Sequence, residues 1–280
     1  MSIKFSIITV SFNSEDTIKE TINSVLNQTY QNYEHIIIDG LSNDRTINII
    51  NEYKKSQAEK VIIKSEKDNG IYEAMNKGIE LASGDLVVFL NSDDTFETNA
   101  LELIANNYSD NIDIIYGNVS WIESFYGKVY EKKLNLAPLD IDKIYVNTIT
   151  KECLEKIKNA HNATFVKLNI LKNNKFDEKL KICSDYKFFL NMYIQKKVVC
   201  YIPYKITNMK MGGISTTQLE RGLIEHIKCE EEILGKSNVD FKNEIKKINK
   251  QNIIKKLSKK FLPKKYYIKF RYLNRGWNLK

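Results

Sequence analysis

Asp93 and Asp94 are the residues whose types and placement ask most directly for chemistry. They follow an unbroken apolar run, Leu86 to Leu90, of strand length and rich in β-formers, as expected of a strand covered on both faces. Two neighbouring carboxylates beyond a buried strand repel each other unless a cation or a polyhydroxyl ligand compensates. Open α/β sheets bind ligands outside the carboxyl ends of their strands. The doublet is therefore expected to hold a divalent metal against phosphates; two solvated loop residues are the plainer reading. Ser11 and Asn13 close the run KFSIITV in the same way, Asp39 closes YEHIIID, and Asp68 follows VIIKS. Later in the chain stand His161, one of three histidines, and Asp185, which opens a helical pattern.

The elements that must position these groups are legible in outline. Apolar runs predict strands at Lys4–Val10, Tyr33–Asp39, Val61–Ser65 and Leu86–Leu90. Helical spacing follows each of the first three: Ile18, Ile22, Val25 and Leu26 behind a Ser14 cap, then Thr46–Tyr53, then Ile71–Ala82. Alternation at this period predicts βαβ units and a parallel sheet. Strands are also expected at Asp113–Val119, Gly127–Leu134, His161–Val166 and Val198–Ile202. Residues 135–160 read as a loop and a short helix. A helix should begin at Cys183–Tyr186, capped by Ser184 or Asp185, with Phe188, Phe189 and Met192 inward. Met211–Ser215, with Gly212 and Gly213, has the glycine content of a mobile loop or lid hinge.

No apolar run reaches the length of a membrane-spanning helix, and the N-terminus lacks a signal peptide's layout, so a cytoplasmic location is expected. Cys153, Cys183, Cys200 and Cys229 form no CxxC pair and read as reduced structural thiols. The net charge of +8 is uneven: residues 242–280 hold fourteen Lys or Arg and one acid, leaving −5 for the rest. Residues 241–262 are expected to form an amphipathic lysine-rich helix, followed by aromatic residues interleaved with cations. Such a tail suits an anionic membrane surface, which would make the protein peripheral on the inner face of the plasma membrane. A helix packed on the body is the alternative. Nucleic acid is not expected, since no reading module accompanies the charge.

Val10-Ser11-Phe12-Asn13, Asp39 to Thr46, Asp68-Asn69-Gly70, Asn76-Lys77-Gly78 and Asn91-Ser92-Asp93-Asp94 occur in the order and spacing of family 2 glycosyltransferases, and His161-Asn162 and Ser184-Asp185-Tyr186 extend the match. The resemblance covers roughly residues 3–215. It implies a GT-A domain, with a Rossmann-like, mostly parallel sheet flanked by helices, over residues 1–215, and leaves 216–280 as a helical basic extension. It implies an inverting, Mg²⁺- or Mn²⁺-dependent transferase that takes a sugar from a nucleoside diphosphate sugar. UDP is the first choice of nucleotide, with GDP and dTDP open. The acceptor is a saccharide or lipid-linked hydroxyl in surface polysaccharide or glycolipid assembly.

By resemblance, Thr9, Ser11, Phe12 and Asn13 wrap the base and ribose, Asp39 reads the base edge, and Asp68 adds a second contact. Asp93 faces the ribose or sugar, Asp94 ligates the metal, and Asp185 is the general base. His161 is left as a structural residue, a metal or diphosphate contact, or an acceptor contact; as a ligand it would join Asp93 and Asp94. Asp39 and Asp44 also fit plain turn chemistry, and Asp185 fits an ordinary N-cap. One departure stands out: the family's acidic motif is often Asp-x-Asp, and its first position here is Asn91. A nucleotidyltransferase is a rival, but it would show a glycine-rich basic loop after the first strand, which Val10–Asn13 lacks. The other rival is a membrane or nucleic-acid binding protein on a vestigial fold.

Overall fold

Four apolar runs become the parallel centre of a twisted sheet. They are β1 (Phe5–Ser11), β2 (Tyr33–Asp39), β3 (Val61–Ser65) and β4 (Leu86–Phe89), paired in the order β4-β1-β2-β3. The structure, a computed structural model, describes residues 2–125, 128–134, 161–237, 239–261, 263 and 277–279. The readings made for 135–160 and for the aromatic segment 264–276 lie outside the described residues. Helices α1 (Ile18–Leu26), α2 (Thr46–Ser56) and α3 (Ile71–Leu81) alternate with the strands as the periodicity predicts.

β1, β2 and β4 are buried along their whole length, so they carry apolar side chains toward both faces, with a few buried polar residues among them. Ile8, Ile36, Ile38, Val87 and Phe89 pack against α3 and α6 (Ser184–Ile194). Phe5, Ile7, Leu86 and Val88 pack against α4 (Ala100–Asn107). Each such side chain contributes about 1.5–3 kcal/mol on full burial. Register is pinned at the amino end, where Glu34 accepts from Lys4 Nζ, Ser6 Oγ and the Ser83 amide and hydroxyl at 2.6–2.7 Å. Gly84 completes this end: a Cβ there would lie 2.7 Å from both Lys4 O and Ser6 N, so only glycine lets β4 start against β1.

The sheet continues through β8 (Thr164–Lys167), β6 (Ile114–Phe125), β7 (Lys128–Leu134) and β10 (Asn278–Leu279), all antiparallel to their neighbours on this path. Strand β9 (Val199–Lys210) runs parallel to β6 and also takes up the short β5 (Thr95–Phe96). Strands β6 and β9 run on past the predicted Asp113–Val119 and Val198–Ile202, because their later parts carry polar residues that no apolar run marks. A 3₁₀ turn (His161–Ala163) precedes β8, where a strand was expected to begin, and α5 (Leu168–Asn173) follows it.

Three capping expectations are corrected. Ser14 does not cap α1 with its side chain; its carbonyl accepts the Thr17 and Ile18 amides, and its hydroxyl lies 2.8 Å from that of Ser92. Neither Ser184 nor Asp185 caps α6, whose N-cap is Cys183 with no side-chain capping bond.

Beyond β9, Gly212 takes φ +124° and Gly213 precedes a short helix, α7 (Ile214–Thr217), so part of the expected loop is helical. Helix α8 (Leu219–Leu234) packs on α6, with Glu225, His226, Cys229 and Glu230 buried between them. Helix α9 (Phe241–Phe261) forms as predicted, but its expected single apolar stripe does not hold. At 100° per residue, Ile245 and Ile248 fall within about 40° of Phe241, whereas Ile253 and Ile254 fall roughly 120° and 220° away. Ile253 is 58% exposed. Among the described residues, no helix is long and apolar enough to cross a membrane.

Candidate active site

The parallel register places the ends of β1, β2 and β3 side by side, with Ser11 opposite Asp39 and Asp39 opposite Ser65. Asp39 has no exposed surface. Its Oδ1 accepts from the Ser11 and Ser42 hydroxyls, and its Oδ2 from the Ser65 hydroxyl and the Ser42 amide. This is the turn-forming role, and as placed the carboxylate has nothing free to read a base edge. What it builds is a rim. Asn13 (φ +48°) and Leu41 (φ +61°) sit in the left-handed region, and Asn13 Oδ1 accepts the Asn43 amide while the Asn13 amide donates to Ser42 Oγ. A leucine there carries on the order of 1 kcal/mol of strain or more. Phe12 and Leu41 stand exposed on this rim, at 62% and 54%.

Thr9 is misplaced by the sequence reading. Its side chain is fully buried and lies 2.9 Å from His35 Nε2 in the core, away from the cleft. Asp68 borders the rim, accepting the Gly70 amide at 3.0 Å, and burial raises its pKa.

The doublet lies at the carboxyl end of β4, tied to the β1 loop by the Ser14–Ser92 pair. Asp94 is 1% exposed. Its Oδ1 accepts the Lys210 amide at 2.9 Å, and its Oδ2 accepts the side-chain amides of Asn162 at 2.8 Å and Asn91 at 3.3 Å. Burial, and then the charge of Asp93, push its pKa up to about 7. Burial also raises that of half-buried Asp93, against the opposing charges of Lys210 and His161.

From Asn91 the hydrogen bonds run on. Its amide nitrogen lies 3.1 Å from His161 Nε2, and His161 Nδ1 lies 2.8 Å from Asp185 Oδ2. A carboxylate only accepts, so Nδ1 carries the proton, and in the neutral ring Nε2 accepts from Asn91. Asp185 Oδ1 accepts the Tyr186 amide at 2.8 Å and lies 2.9 Å from the Tyr72 hydroxyl, which is also 2.6 Å from the Ile182 carbonyl. Burial works against the charge on Asp185, but the bonds from His161, Tyr186 and Tyr72 outweigh it and hold its pKa below the ordinary range. Burial likewise opposes charge on His161, yet Asp185 and the doublet raise its pKa. The side chain of Asp185 remains 21% exposed.

Both His161 nitrogens are engaged here, Nδ1 by Asp185 and Nε2 by Asn91. Among the described residues, no group of three or more His, Cys, Asp or Glu is arranged around a metal position. The doublet itself fits a cation. It carries a carboxylate that cannot comfortably ionise, and Asn162 Oδ1 beside it is buried with no partner among the described residues. Mg²⁺ commonly takes only one or two protein oxygens, the rest coming from phosphate and water.

Sequence reasoning missed Asn162, Lys210 and the bridging part of Asn91. Asn162 was quoted only as a neighbour of His161, and Lys210 lies at the end of a strand whose second half had no signal.

This arrangement is the GT-A fold of solved glycosyltransferases. S. aureus TarS residues 1–349 in complex with UDP-GlcNAc superpose with a TM-score of 0.63 at 16% identity, covering 86% of this chain and 69% of that one. The mannosyltransferase PcManGT from Pyrobaculum calidifontis, in complex with GDP-Man and Mn²⁺, gives 0.58 at 14%, covering 84% and 69%. The family model for Glycosyl transferase family 2 matches residues 6–166, and the chain belongs to that family. Escherichia coli WfgD, a UDP-Glc:α-D-GlcNAc-diphosphoundecaprenol β-1,3-glucosyltransferase, is 36% identical over 151 residues, 53% of this chain and 55% of that protein. The minor teichoic acid biosynthesis protein GgaB of Bacillus subtilis is 29% identical over 203 residues, 69% of this chain and 21% of its own length. The PGL/p-HBAD biosynthesis glycosyltransferase of Mycobacterium tuberculosis is 34% identical over 118 residues, 41% and 46%. The matches thus span from about a fifth to about half of these relatives. Family membership weighs against a nucleotidyltransferase and against a binding protein on a vestigial fold.

Proposed function

We propose that the chain transfers a sugar, with inversion, from a UDP-sugar to a hydroxyl of a saccharide or lipid-linked acceptor in surface polysaccharide or glycolipid assembly. The observation that carries this is the single hydrogen-bonded line from Asp94 through Asn91 and His161 to Asp185. It joins a carboxylate suited to a cation with a charged, partly exposed carboxylate. Inverting transfer is one displacement through an oxocarbenium-like transition state, with a base on the face opposite the leaving group. Asp185 takes that part. Its lowered pKa keeps it ionised at neutral pH, and proton transfer from the acceptor follows as the new C–O bond acidifies the hydroxyl. Asp94, with Asp93, would hold Mg²⁺ or Mn²⁺, which when bound offsets charge on the leaving diphosphate. Phe12, Asn13 and Leu41 offer the nucleoside a rim with two exposed apolar side chains, and Asp39 keeps that rim in shape from beneath.

Donor binding and turnover separate these roles. Asp94→Ala should lose the Mn²⁺-dependent part of UDP affinity measured by calorimetry. Asp185→Asn should keep that affinity and lose about 10²–10⁴-fold in turnover. Equal UDP affinity of wild type and Asp94→Ala, with and without Mn²⁺, would falsify the metal assignment. A thermal-shift panel of UDP, GDP and dTDP tests the nucleotide, because a ligand of the native state raises the melting point.

A further inference from the structure

Helix α8 contributes a buried carboxylate that no reading of the site has used. Glu225 is 7% exposed and fills a turn of three successive backbone amides. Lys181 N–H donates to its two oxygens at 3.1 and 3.0 Å, Ile182 N–H at 2.7 Å and Cys183 N–H at 3.2 Å. Arg221 Nε closes the far side at 3.0 Å. These amides belong to the residues that lead directly into α6. The middle residue of the turn, Ile182, presents its carbonyl to the Tyr72 hydroxyl, which also lies against Asp185 Oδ1. The turn that Glu225 holds therefore sets both the chain leading to Asp185 and one of that carboxylate's partners.

Neighbouring contacts fix the same junction. Cys183 Sγ lies 3.2 Å from the Gly222 carbonyl, and the Tyr186 hydroxyl lies 3.2 Å from Glu230 Oε1. A buried amide left without an acceptor costs about 1–3 kcal/mol, so the Glu225 oxygen that gathers these three amides helps the turn keep its shape.

We propose that Glu225 is a positioning residue. By occupying the Lys181–Cys183 turn, it fixes the geometry of Asp185 against His161 and Tyr72. The catalytic consequence rests on the reading of Asp185 as the base; the geometric claim does not. Glutamine at 225 keeps the volume but offers one acceptor, so its N–H₂ group must face either the amides that meet at Oε2 or the Arg221 guanidinium at Oε1.

The test uses the full chain labelled with ¹⁵N-histidine, with the His161 Nδ1–H resonance assigned by its loss in His161→Gln. A 2.8 Å bond to a carboxylate places that proton well downfield. Glu225→Gln is expected to broaden it or move it upfield. Ile50→Val, in the apolar cluster between α1 and α2, is expected to leave it in place and serves as a destabilised reference. An unchanged resonance in Glu225→Gln overturns the proposal. If Glu225→Gln does not fold, Glu225→Asp, one methylene short, carries the same comparison with a smaller displacement expected.

In turnover of whichever UDP-sugar the wild type cleaves, Glu225→Gln should lower kcat at least 10-fold with UDP affinity within about twofold. A parallel fall in both, or a loss no larger than that of Ile50→Val, counts against positioning. Should Asp185→Asn retain full turnover, the base assignment fails while the resonance still decides the geometry.

Discussion

Asp94→Asn should stabilise the metal-free protein at pH 8 and do almost nothing for it at pH 5. The reasoning starts from a carboxyl moved from its ordinary 3.8 to about 7 by burial and by Asp93. Keeping that group ionised in the folded state costs at most about 4 kcal/mol at high pH. Because the folded value lies above the unfolded one, the penalty is absent below about pH 4, where both states are protonated. It grows as pH rises through 7. Asparagine removes the charge but brings an N–H₂ group to a place where the carboxylate only accepted. Asn162 can answer this by turning its amide, since its own Oδ1 is buried and has no partner among the described residues. The residual cost is about 1 kcal/mol, the worth of one imperfect hydrogen bond. The net gain at pH 8 is then about 3 kcal/mol, roughly 6–12 °C in a chain of this size.

Thermal unfolding in chelator at pH 5, 6, 7 and 8 measures this directly. Groups shared by both proteins cancel in the difference, so the gap between variant and wild type should open with pH. Saturating Mn²⁺ with UDP should close the gap by stabilising the wild type alone. A gap that does not change with pH, or a variant less stable than wild type at pH 8, would show that the buried doublet is not under electrostatic strain.

Two further outcomes test the frame around the site. Gly84→Ala puts a methyl 2.7–2.8 Å from the backbone of Lys4, Phe5 and Ser6; because backbone cannot turn aside, denaturant unfolding should show a loss of about 3 kcal/mol or more. Tyr72→Phe removes the hydroxyl between Ile182 and Asp185; stability should fall by about 1 kcal/mol, and the acid limb of the pH–turnover profile should move upward because Asp185 loses a bond to its charged form.

The strands β1 to β4 were legible because each carries a short run of adjacent apolar, β-branched residues, such as Ile36-Ile37-Ile38 in YEHIIID, which needs no partner to be recognised. Thr9 shows the limit of that signal. In a strand with no exposed face, the pattern marks burial without showing which hydroxyl reaches the end, and only Ser11, level with Asp39, arrives there. The capping errors share a different cause. Ser184 and Asp185 were judged against the nearest amides, but a 2.8 Å bond from His161, twenty-four residues away, claims Asp185. The long strands β6 and β9 faded from view where they became polar. Glu225 carried no signal at all, because its partners are backbone amides more than forty residues upstream.

Asn91 gives the departure from an acidic triplet a physical meaning. Its amide has two hydrogens, and two acceptors lie within reach, Asp94 Oδ2 at 3.3 Å and His161 Nε2 at 3.1 Å. An aspartate there would add a third carboxylate to a doublet that already resists ionisation, and it would face Asp94 with an acceptor where a donor is needed. The neutral amide instead separates two carboxylates whose surroundings push them in opposite directions, Asp94 upward and Asp185 downward. Divergent pKa values within one site are how similar groups come to serve different ends. Asp185 can keep its charge at neutral pH and remain able to accept a proton, whereas Asp94 cannot hold its charge without a cation. Asn91 and His161 between them keep the two carboxylates from sharing a proton and becoming one equivalent pair.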